Sequence, residues 1–349
     1  MIFGGGDDMH ASRRMENSLG WYPGPFLIGL TSIASDVGYD AEWFERIMSE
    51  GPRADRKERQ IPMDVVESLC WQIGKLSAPT PLSEIMRRQM GFQMTSLVSL
   101  SLGEPTLKAV LIRAADTSLL NANLFTYRFE NLPSRKAYAL TFLPIVPIPR
   151  WLHVCFAYQF AEGLARTTSN EDIEVEEVVL CGARLACDLD ALTDGSKGTI
   201  TSSDSAPSRI IYKAKSLDQL NEFANRSWRN LTNSLVNPLL SSRLKATPWT
   251  YRCYVMILRH FEAGASLSME AISNSLGADV STLRRHLQRE STGFKPLITF
   301  FRAQQAQLMM IDGVSAEQIA QRLDFKNALS VKRLVRRSLF CPETTTAFM

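Results

Sequence analysis

The chain has 349 residues, of which 45% are hydrophobic and 21% charged, and its formal net charge is +3. These values are ordinary for a globular protein, and the length suffices for two domains with separate cores. The charge is unevenly distributed, because residues 249–349 hold 13 Lys and Arg against 8 Asp and Glu, whereas residues 1–248 hold 26 against 28. A basic C-terminal part on a slightly acidic body favours a polyanionic partner.

Several classes of protein are disfavoured by the cysteines and the apolar runs. The six cysteines, at positions 70, 155, 181, 187, 253 and 341, form no CxxC pair, which argues against a disulfide framework or a zinc site. The start, MIFGGGDDMH, lacks the basic and apolar regions of a signal peptide. The longest apolar run, residues 137–161, is interrupted by three prolines and is a poor membrane span. We expect a cytoplasmic protein that contacts no membrane and needs no metal or cofactor.

The N-terminal part is predicted to begin with helices. Residues 1–26 have the composition of a loose tail, and apolar residues then recur at helical spacing in segments 40–48 and 62–76. Another helix is predicted after Glu104 and Pro105, with a proline near its first turn.

Strands are predicted after Asn121. Residues 123–130 and 136–145 are rich in aromatic and aliphatic side chains, and residues 131–134 have a turn composition, so a β-hairpin is expected. Further strands are expected at 176–184 and 209–214.

Two helices and a loop are expected among these strands. One helix is predicted over 148–165 and another from Ser216 onward, and the Ser/Thr/Asp/Gly-rich residues 193–207 predict an exposed loop. The N-terminal domain is therefore predicted to be α+β, with helices and a small, mostly antiparallel sheet. The helix predicted over 148–165 carries four aromatic side chains that either belong to the hydrophobic core or line an effector pocket. They are Trp151, Phe156, Tyr158 and Phe160.

The last hundred residues repeat one helical plan. In the first copy a short helix begins at Ser268, Gly277 and Ala278 form a turn, and Asp279 is placed to cap the next helix. That helix buries an apolar stripe containing Leu283 and Leu287. At 100° per residue its polar side chains point away from the stripe.

The second copy begins with the capping box Ser315 to Gln318. Residues 324–326 form the turn, and Asn327 is placed to cap a helix over 328–338 that buries Val331, Leu334 and Val335. Between the copies, Pro296 at the first position opens a long helix to about Ile311. The C-terminal domain is thus predicted to be all-α, with two helix-turn-helix units joined by a linker helix.

A short helix, a tight turn and a basic second helix are typical of proteins that place side chains in a major groove of duplex DNA. Guanidinium groups pair with guanine edges or with phosphates. The alternative is a pair of solvated amphipathic helices whose arginines only keep the surface soluble. The candidate DNA-contacting residues are Ser281, Thr282, Arg284, Arg285, Gln288, Arg289, Ser330, Lys332, Arg333, Arg336 and Arg337.

Nearly all of residues 251–342 resemble the DNA-binding domain of arabinose-operon-type (AraC/XylS) regulators. The matching residues include Leu283 and Arg285, Arg302 and Ala306, Ile319 and Ala320, Leu323, Phe325, and Arg333. Departures are Asp324, where the family usually has glycine, Val331 and Val335, where it usually has phenylalanine, and a C-terminal tail without the usual glycine.

The N-terminal domain more faintly resembles the sensing and dimerisation domain of one branch of that family, mainly over residues 97–130. The resemblance implies a transcriptional regulator that binds promoter or operator DNA and RNA polymerase. It favours activation, with repression as the alternative. It also implies a small-molecule effector and a homodimer. The predicted organisation is a tail (1–26), a sensing and dimerisation domain (27–225), a linker (226–248) and a DNA-binding domain (249–349).

Two other functions are consistent with a helix-turn-helix domain. A DNA-targeted alkyl-transfer repair enzyme needs an activated cysteine, and the scattered cysteines here form no CxxC pair or other recognisable reactive motif. The chain could also be an effector-binding or scaffolding protein whose second domain has lost DNA binding. No catalytic residues are assigned, and we do not expect an enzyme.

Overall fold

The computed structural model describes residues 21–23, 60–62, 101, 103–117, 125–145, 153, 156–157, 160, 173–181, 198–203, 207–290 and 292–337. The predicted helix at 40–48, nearly all of the one at 62–76 and most of the one at 148–165 lie outside these residues. So do the first twenty residues of the predicted tail. None of the helices in the described part is long and apolar enough to cross a bilayer.

A mixed sheet forms the centre of the N-terminal part. The strands of this part are β1 (Trp21–Pro23), β2 (Gln60–Pro62), β3 (Phe125–Leu132), β4 (Ala137–Pro144), β5 (Val175–Cys181), β6 (Thr199–Ser203) and β7 (Arg209–Lys213). Five of them form the sheet, in the order β3-β4-β7-β5-β6, and its pairs are antiparallel except for β5 and β6, which are parallel. A separate two-stranded pair joins β1 to β2.

The predicted β-hairpin is confirmed as β3 and β4, paired from Phe125 opposite Pro144 to Leu132 opposite Ala137. A 3-10 turn over Pro133–Arg135 connects the strands, and Lys136 closes it with a φ of 49°. β4 lies inside the sheet, and every one of its residues is buried, so both of its faces are covered. The helix predicted after Pro105 is confirmed as α1 (Leu107–Asp116), which begins after the proline with Thr106 as its N-cap.

Two predictions in this part are wrong. Residues 193–207 are not simply a loop, because β6 lies within them and pairs with β5. The helix expected from Ser216 onward ends at once, since α2 spans only Ala214–Leu217. Beyond it, Leu220 forms a bridge to Thr106, and the Asn221 amide donates to the carbonyl of Glu104 at 2.9 Å. These contacts hold the chain extended, where a helix would need the backbone groups for itself.

The C-terminal part is entirely helical where it is described. The predicted linker 226–248 is mostly one helix, α3 (Arg226–Ala246), which starts at the N-cap Asn225 and contains Pro238. The helices that follow are α4 (Trp249–Glu262), α5 (Met269–Ser275), α6 (Val280–Arg289), α7 (Phe294–Ile311), α8 (Ala316–Arg322) and α9 (Ala328–Arg337). An α+β part followed by an all-α part is the architecture expected from the sequence.

The sheet and the C-terminal helices share a core. Leu143 and Ile145, at the end of β4, are buried in one cluster with Tyr254, Ile257 and Phe301. The aromatic residues Phe156 and Phe160 are also buried and contact Tyr127 of β3, so these two belong to the core of the sheet side.

Candidate nucleic-acid interface

The first helix pair consists of α5 and α6, and hydrogen bonds fix both of their facing ends. The hydroxyl of Ser268 caps α5 by accepting from the N–H of Ala271 at 3.1 Å. After the helix, Gly277 adopts a left-handed φ of 68°. The N–H groups of Gly277 and Ala278 donate to Asn274 and Ser273, each at 3.0 Å. This pattern is a Schellman motif, which satisfies the last carbonyls of a helix and turns the chain sharply.

Asp279 caps α6 with both carboxylate oxygens. It accepts from the N–H and the hydroxyl of Thr282 at 2.7 and 2.8 Å, and from the hydroxyl of Ser281 at 2.5 Å. These hydrogen bonds, that from the Ser281 hydroxyl first, hold the pKa of Asp279 well below its usual range. Ser281 and Thr282 therefore serve the cap in the free protein, and their contact with DNA stays a prediction.

The rest of α6 separates an apolar face from a basic one. Leu283 and Leu287 are fully buried, whereas Arg284, Arg285, Gln288 and Arg289 are exposed. The helix contains no acidic residue. Within the described part of the chain, none of these three arginines forms an ion pair. The structure thus brings the predicted guanidinium groups together on one free face.

The position of α6 is fixed against α4. The rings of His286 and Trp249 stack with centroids 4.4 Å apart, and the guanidinium of Arg252 lies 4.0 Å from the Trp249 ring centroid. Glu290, directly after α6, accepts from the N–H groups of Trp249 and Thr250, both at 2.7 Å. The sequence offered no local signal for the stacking of His286, because its partner lies 37 positions earlier.

The second helix pair, α8 and α9, repeats this construction. Ser315 and Gln318 form the predicted capping box at the start of α8. At its end Asp324 takes the left-handed φ of 56°, and the N–H of Phe325 donates to Ala320 at 2.8 Å. The corresponding bond in the first pair joins Ala278 to Ser273, so Asp324 occupies the place of Gly277.

Asn327 caps α9 as Asp279 caps α6. Its side-chain oxygen accepts from the N–H of Ser330 at 2.9 Å and from the Ser330 hydroxyl at 3.1 Å. Ser330, like Ser281, is thereby engaged in the cap. The predicted roles of Asp279, Ser315 and Asn327 at the helix ends are all present in the structure.

The faces of α9 also separate by polarity. Val331 is fully buried, and Lys332, Arg333 and Arg336 are exposed without an ion pair among the described residues. Arg337 lies in the helix, but its side chain is outside the described part. Leu334 packs against the buried pair Cys181 and Ala303. One flank of α9 thus contacts the end of β5, and its basic residues remain free.

The connecting helix α7 begins at Phe294, so Pro296 is its third residue and not its first. The first four N–H groups of a helix have no intrahelical acceptor, which is why a proline fits there. With 18 residues it is about 27 Å long. Arg302 of this helix lies 3.8 Å from the carboxylate of Asp324 and 5.6 Å from the ring centroid of Phe325, which ties the connector to the second turn.

The described residues offer little for catalysis or metal binding. They contain no group of three or more His, Cys, Asp and Glu that could hold a metal. Cys181 and Cys253 are both fully buried, and burial, with a smaller effect of Glu290, raises the pKa of the Cys253 thiol to about 12. A buried neutral thiol is a poor nucleophile.

No protein-family model matches the chain, and no curated protein matches it. Among solved structures the chain is similar to the transcriptional regulator CdpR from Pseudomonas aeruginosa, with 17% identity and a TM-score of 0.39 over 86% of this chain and 97% of that one. A similarity at this level carries no argument about function, so the functional assignment depends on the helix pairs themselves.

Proposed function

We propose that the protein is a sequence-specific DNA-binding transcriptional regulator in which α5–α6 and α8–α9 act as helix-turn-helix units. The observation that carries the proposal is the matched construction of α6 and α9. Each is capped by a side-chain oxygen, follows a left-handed turn residue, and exposes basic side chains without any acidic residue. Such helices are suited to enter a major groove and to pair with phosphates and guanine edges.

The alternative of two merely solvated helices fits less well. Surface helices that only confer solubility mix both signs of charge, whereas the charged residues of α6 and α9 are all basic. The two helices lie at corresponding places in a repeated unit and share this purely basic charge. Binding to a polyanion would explain the shared feature. The third possibility is a second domain that has lost DNA binding, and Asp324 and the unusual C-terminal tail are the reasons to consider it. The left-handed backbone of Asp324 keeps the turn that Gly277 makes in the first unit.

The connector joins the two units through a helix of about 27 Å. This length is of the same order as the roughly 34 Å between successive major grooves on one face of the duplex. We therefore propose that α6 and α9 contact neighbouring grooves. Activation, contact with RNA polymerase and an effector remain proposals drawn from the resemblance to arabinose-operon-type regulators.

A homodimer is a further part of the proposal, and an exposed apolar face on α3 supports it. Trp228, Leu231, Leu235 and Leu239 recur at helical spacing and are 44%, 51%, 57% and 52% exposed. A second copy of the chain would remove this surface from water. Sedimentation of the full chain at rising concentration tests the idea. A monomer at all concentrations that still binds its operator tightly would contradict it.

The experiment for DNA binding is a selection of genomic fragments by the full chain, followed by affinity measurements at several salt concentrations. Each phosphate neutralised contributes about −0.9 to the slope of log K against log salt. We expect tight binding to a subset of fragments and a steep negative slope. Binding to no fragment, or binding without salt dependence, would contradict the proposal.

A further inference from the structure

A cleft of about 610 Å³ lies where the N-terminal part, α3 and α4 meet. Its walls come from α1 and β3 on one side and from α3 and α4 on the other. The volume is in the range of small-molecule sites. None of the contacts assigned above to DNA binding uses this cleft.

One part of the cleft lining is apolar and aromatic. Tyr251 and Leu258 of α4 face Tyr127 of β3 and Ala115 of α1, and each of these side chains is at most 8% exposed. Leu240 and Leu244 of α3 add to this surface. The cleft therefore offers an apolar bed for the body of a ligand.

The polar part of the cleft carries both signs of charge on each side. Arg128 of β3 also lines it and lies 3.8 Å from the Glu262 carboxylate. Asp116 ends α1, whereas Arg259 and Glu262 belong to the last turns of α4. Arg259 acts electrostatically on both carboxyl groups. Within the described part of the chain, neither Asp116 nor Arg259 has an ion pair or a side-chain hydrogen bond.

Burial acts on both carboxyl groups of the cleft, and of the two only Glu262 has an ion-pair partner among the described residues, Arg128. Burial raises the pKa of Asp116, although Arg113 and Arg259 oppose the rise. It also raises the pKa of Glu262, with Glu130 adding to the rise and Arg128 and Arg259 opposing it. A positive ligand group near these carboxylates would relieve this desolvation.

We propose that the cleft binds a small zwitterion with an apolar side chain, of the amino-acid type. Its ammonium group pairs with Asp116, its acid group pairs with Arg259, and its side chain lies on Tyr251 and Leu258. An amine alone would leave Arg259 unpaired and bring another cation beside it. An acid alone would leave Asp116 without an ion-pair partner.

Such a ligand would join the sheet side of the protein to α4. The same helix holds α6 through the stacking of Trp249 on His286 and through Glu290. Occupancy of the cleft would therefore change DNA affinity, and DNA would change ligand affinity by the same factor. This regulatory consequence rests on the proposed function, whereas ligand binding itself does not.

The test compares three probes that share one apolar body: L-phenylalanine, 2-phenylethylamine and 3-phenylpropanoate. Their affinities for the full chain are measured by calorimetry without DNA. We expect phenylalanine to bind about tenfold or more tightly than either analogue, because only phenylalanine satisfies both charges. Asp116→Asn should reduce its affinity to that of 3-phenylpropanoate, and Arg259→Gln to that of 2-phenylethylamine. Glu222→Gln and Arg226→Gln, at exposed sites outside the cleft, serve as controls.

Failure of the site and failure of DNA binding are distinguishable in this design. Absence of binding by all three probes at millimolar concentration would overturn the proposal, as would equal affinity for phenylalanine and its analogues. Unchanged phenylalanine affinity in both folded cleft variants would overturn it too. If the zwitterion binds as expected and no genomic fragment does, the site stands and the proposed regulator function falls.

Discussion

Asp324 and Gly277 form the same turn, although only one of them is a glycine. Both residues adopt a left-handed backbone, and both precede a residue whose N–H closes the Schellman motif. A residue other than glycine is strained in this left-handed conformation by about 1–2 kcal/mol, and Asp and Asn tolerate it best. The carboxylate of Asp324 is 97% exposed and lies 3.8 Å from Arg302, so its ion pair is a weak surface interaction.

We predict that Asp324→Gly raises the free energy of unfolding by up to about 1 kcal/mol, because glycine removes the left-handed strain. Asp324→Asn should leave stability within about 0.5 kcal/mol of the parent, and Asp324→Ala should lower it by about 1 kcal/mol. Urea unfolding of the full chain measures all three. A glycine variant less stable than the alanine variant would contradict this account, because it would show that left-handed backbone strain does not determine this position.

Cys253 gives a second prediction at this scale. Its side chain is fully buried and its pKa is raised to about 12, so almost no thiolate exists near pH 8. We expect iodoacetamide to leave Cys253 unmodified in the folded chain and to modify it in urea, as read by peptide mass spectrometry. Rapid modification of Cys253 in the folded protein would revive the alkyl-transfer alternative.

At the scale of elements, the helix pairs owe their boundaries to short-range signals. Ser315 caps α8 and Gln318 returns the hydrogen bond, each at 3.3 Å. These two bonds satisfy backbone donors that the helix itself leaves free. A helix of only seven residues has few other local means of stabilisation.

We predict that Ser315→Ala lowers the free energy of unfolding by about 1 kcal/mol, the usual effect of losing an N-cap. Ser234→Ala is the matched control, because the Ser234 hydroxyl donates to the Leu231 carbonyl within α3 at 2.7 Å and caps nothing. Equal stability of the two variants in urea unfolding would mean that packing alone holds α8.

The difference between local and distant signals explains which elements could be predicted. The side chains of Asp279, Ser315 and Asn327 each accept a hydrogen bond from the N–H group three residues later. Because these signals are local, both helix pairs could be predicted from the sequence. β6 was missed because its sequence, TITSS, has the composition of a loop and forms a strand only through β5. The prediction of a helix from Ser216 onward was wrong for the same reason, because contacts with Thr106 and Glu104, which are distant in sequence, hold that segment extended.

At the scale of the whole molecule, a polar contact joins the sheet to the connector α7. Arg209 of β7 is 1% exposed and donates to Asp312, just after α7, at 2.6 Å. Its second terminal nitrogen lies 3.6 Å from Glu130 of β3. Nearby, the Gln304 amide donates to the carbonyl of Pro144 at 2.8 Å. No periodicity or motif predicts such contacts, because Arg209 and Asp312 lie 103 positions apart.

We predict that Arg209→Ala destabilises the chain by about 1.5–3 kcal/mol, because it leaves the partly exposed Asp312 without its charged hydrogen-bond partner, whereas Glu130 keeps Arg128. The double variant Arg209→Met with Asp312→Leu should recover part of this loss. A double-mutant cycle in urea gives the interaction free energy. Additive effects of the two substitutions would show that Arg209 and Asp312 are not coupled.

The central claim is that α6 and α9 are corresponding DNA-reading helices. Arg285 and Arg333 each lie six residues after the cap of their helix, Asp279 and Asn327, and both are exposed. We therefore expect both arginines at the DNA surface, about one helical turn of the duplex apart. Arg226, exposed at the start of α3, is the matched control.

The most direct measurement is the affinity of Arg285→Ala, Arg333→Ala and Arg226→Ala for the selected operator and for unrelated DNA, at several salt concentrations. A base contact predicts a loss of about 1–3 kcal/mol for the operator alone, which we expect for Arg285. A phosphate contact predicts weaker binding to all DNA and a salt slope smaller by about one. Arg226→Ala should bind as the parent does. If folded Arg285→Ala and Arg333→Ala also bind the operator as the parent does, α6 and α9 are not the reading helices.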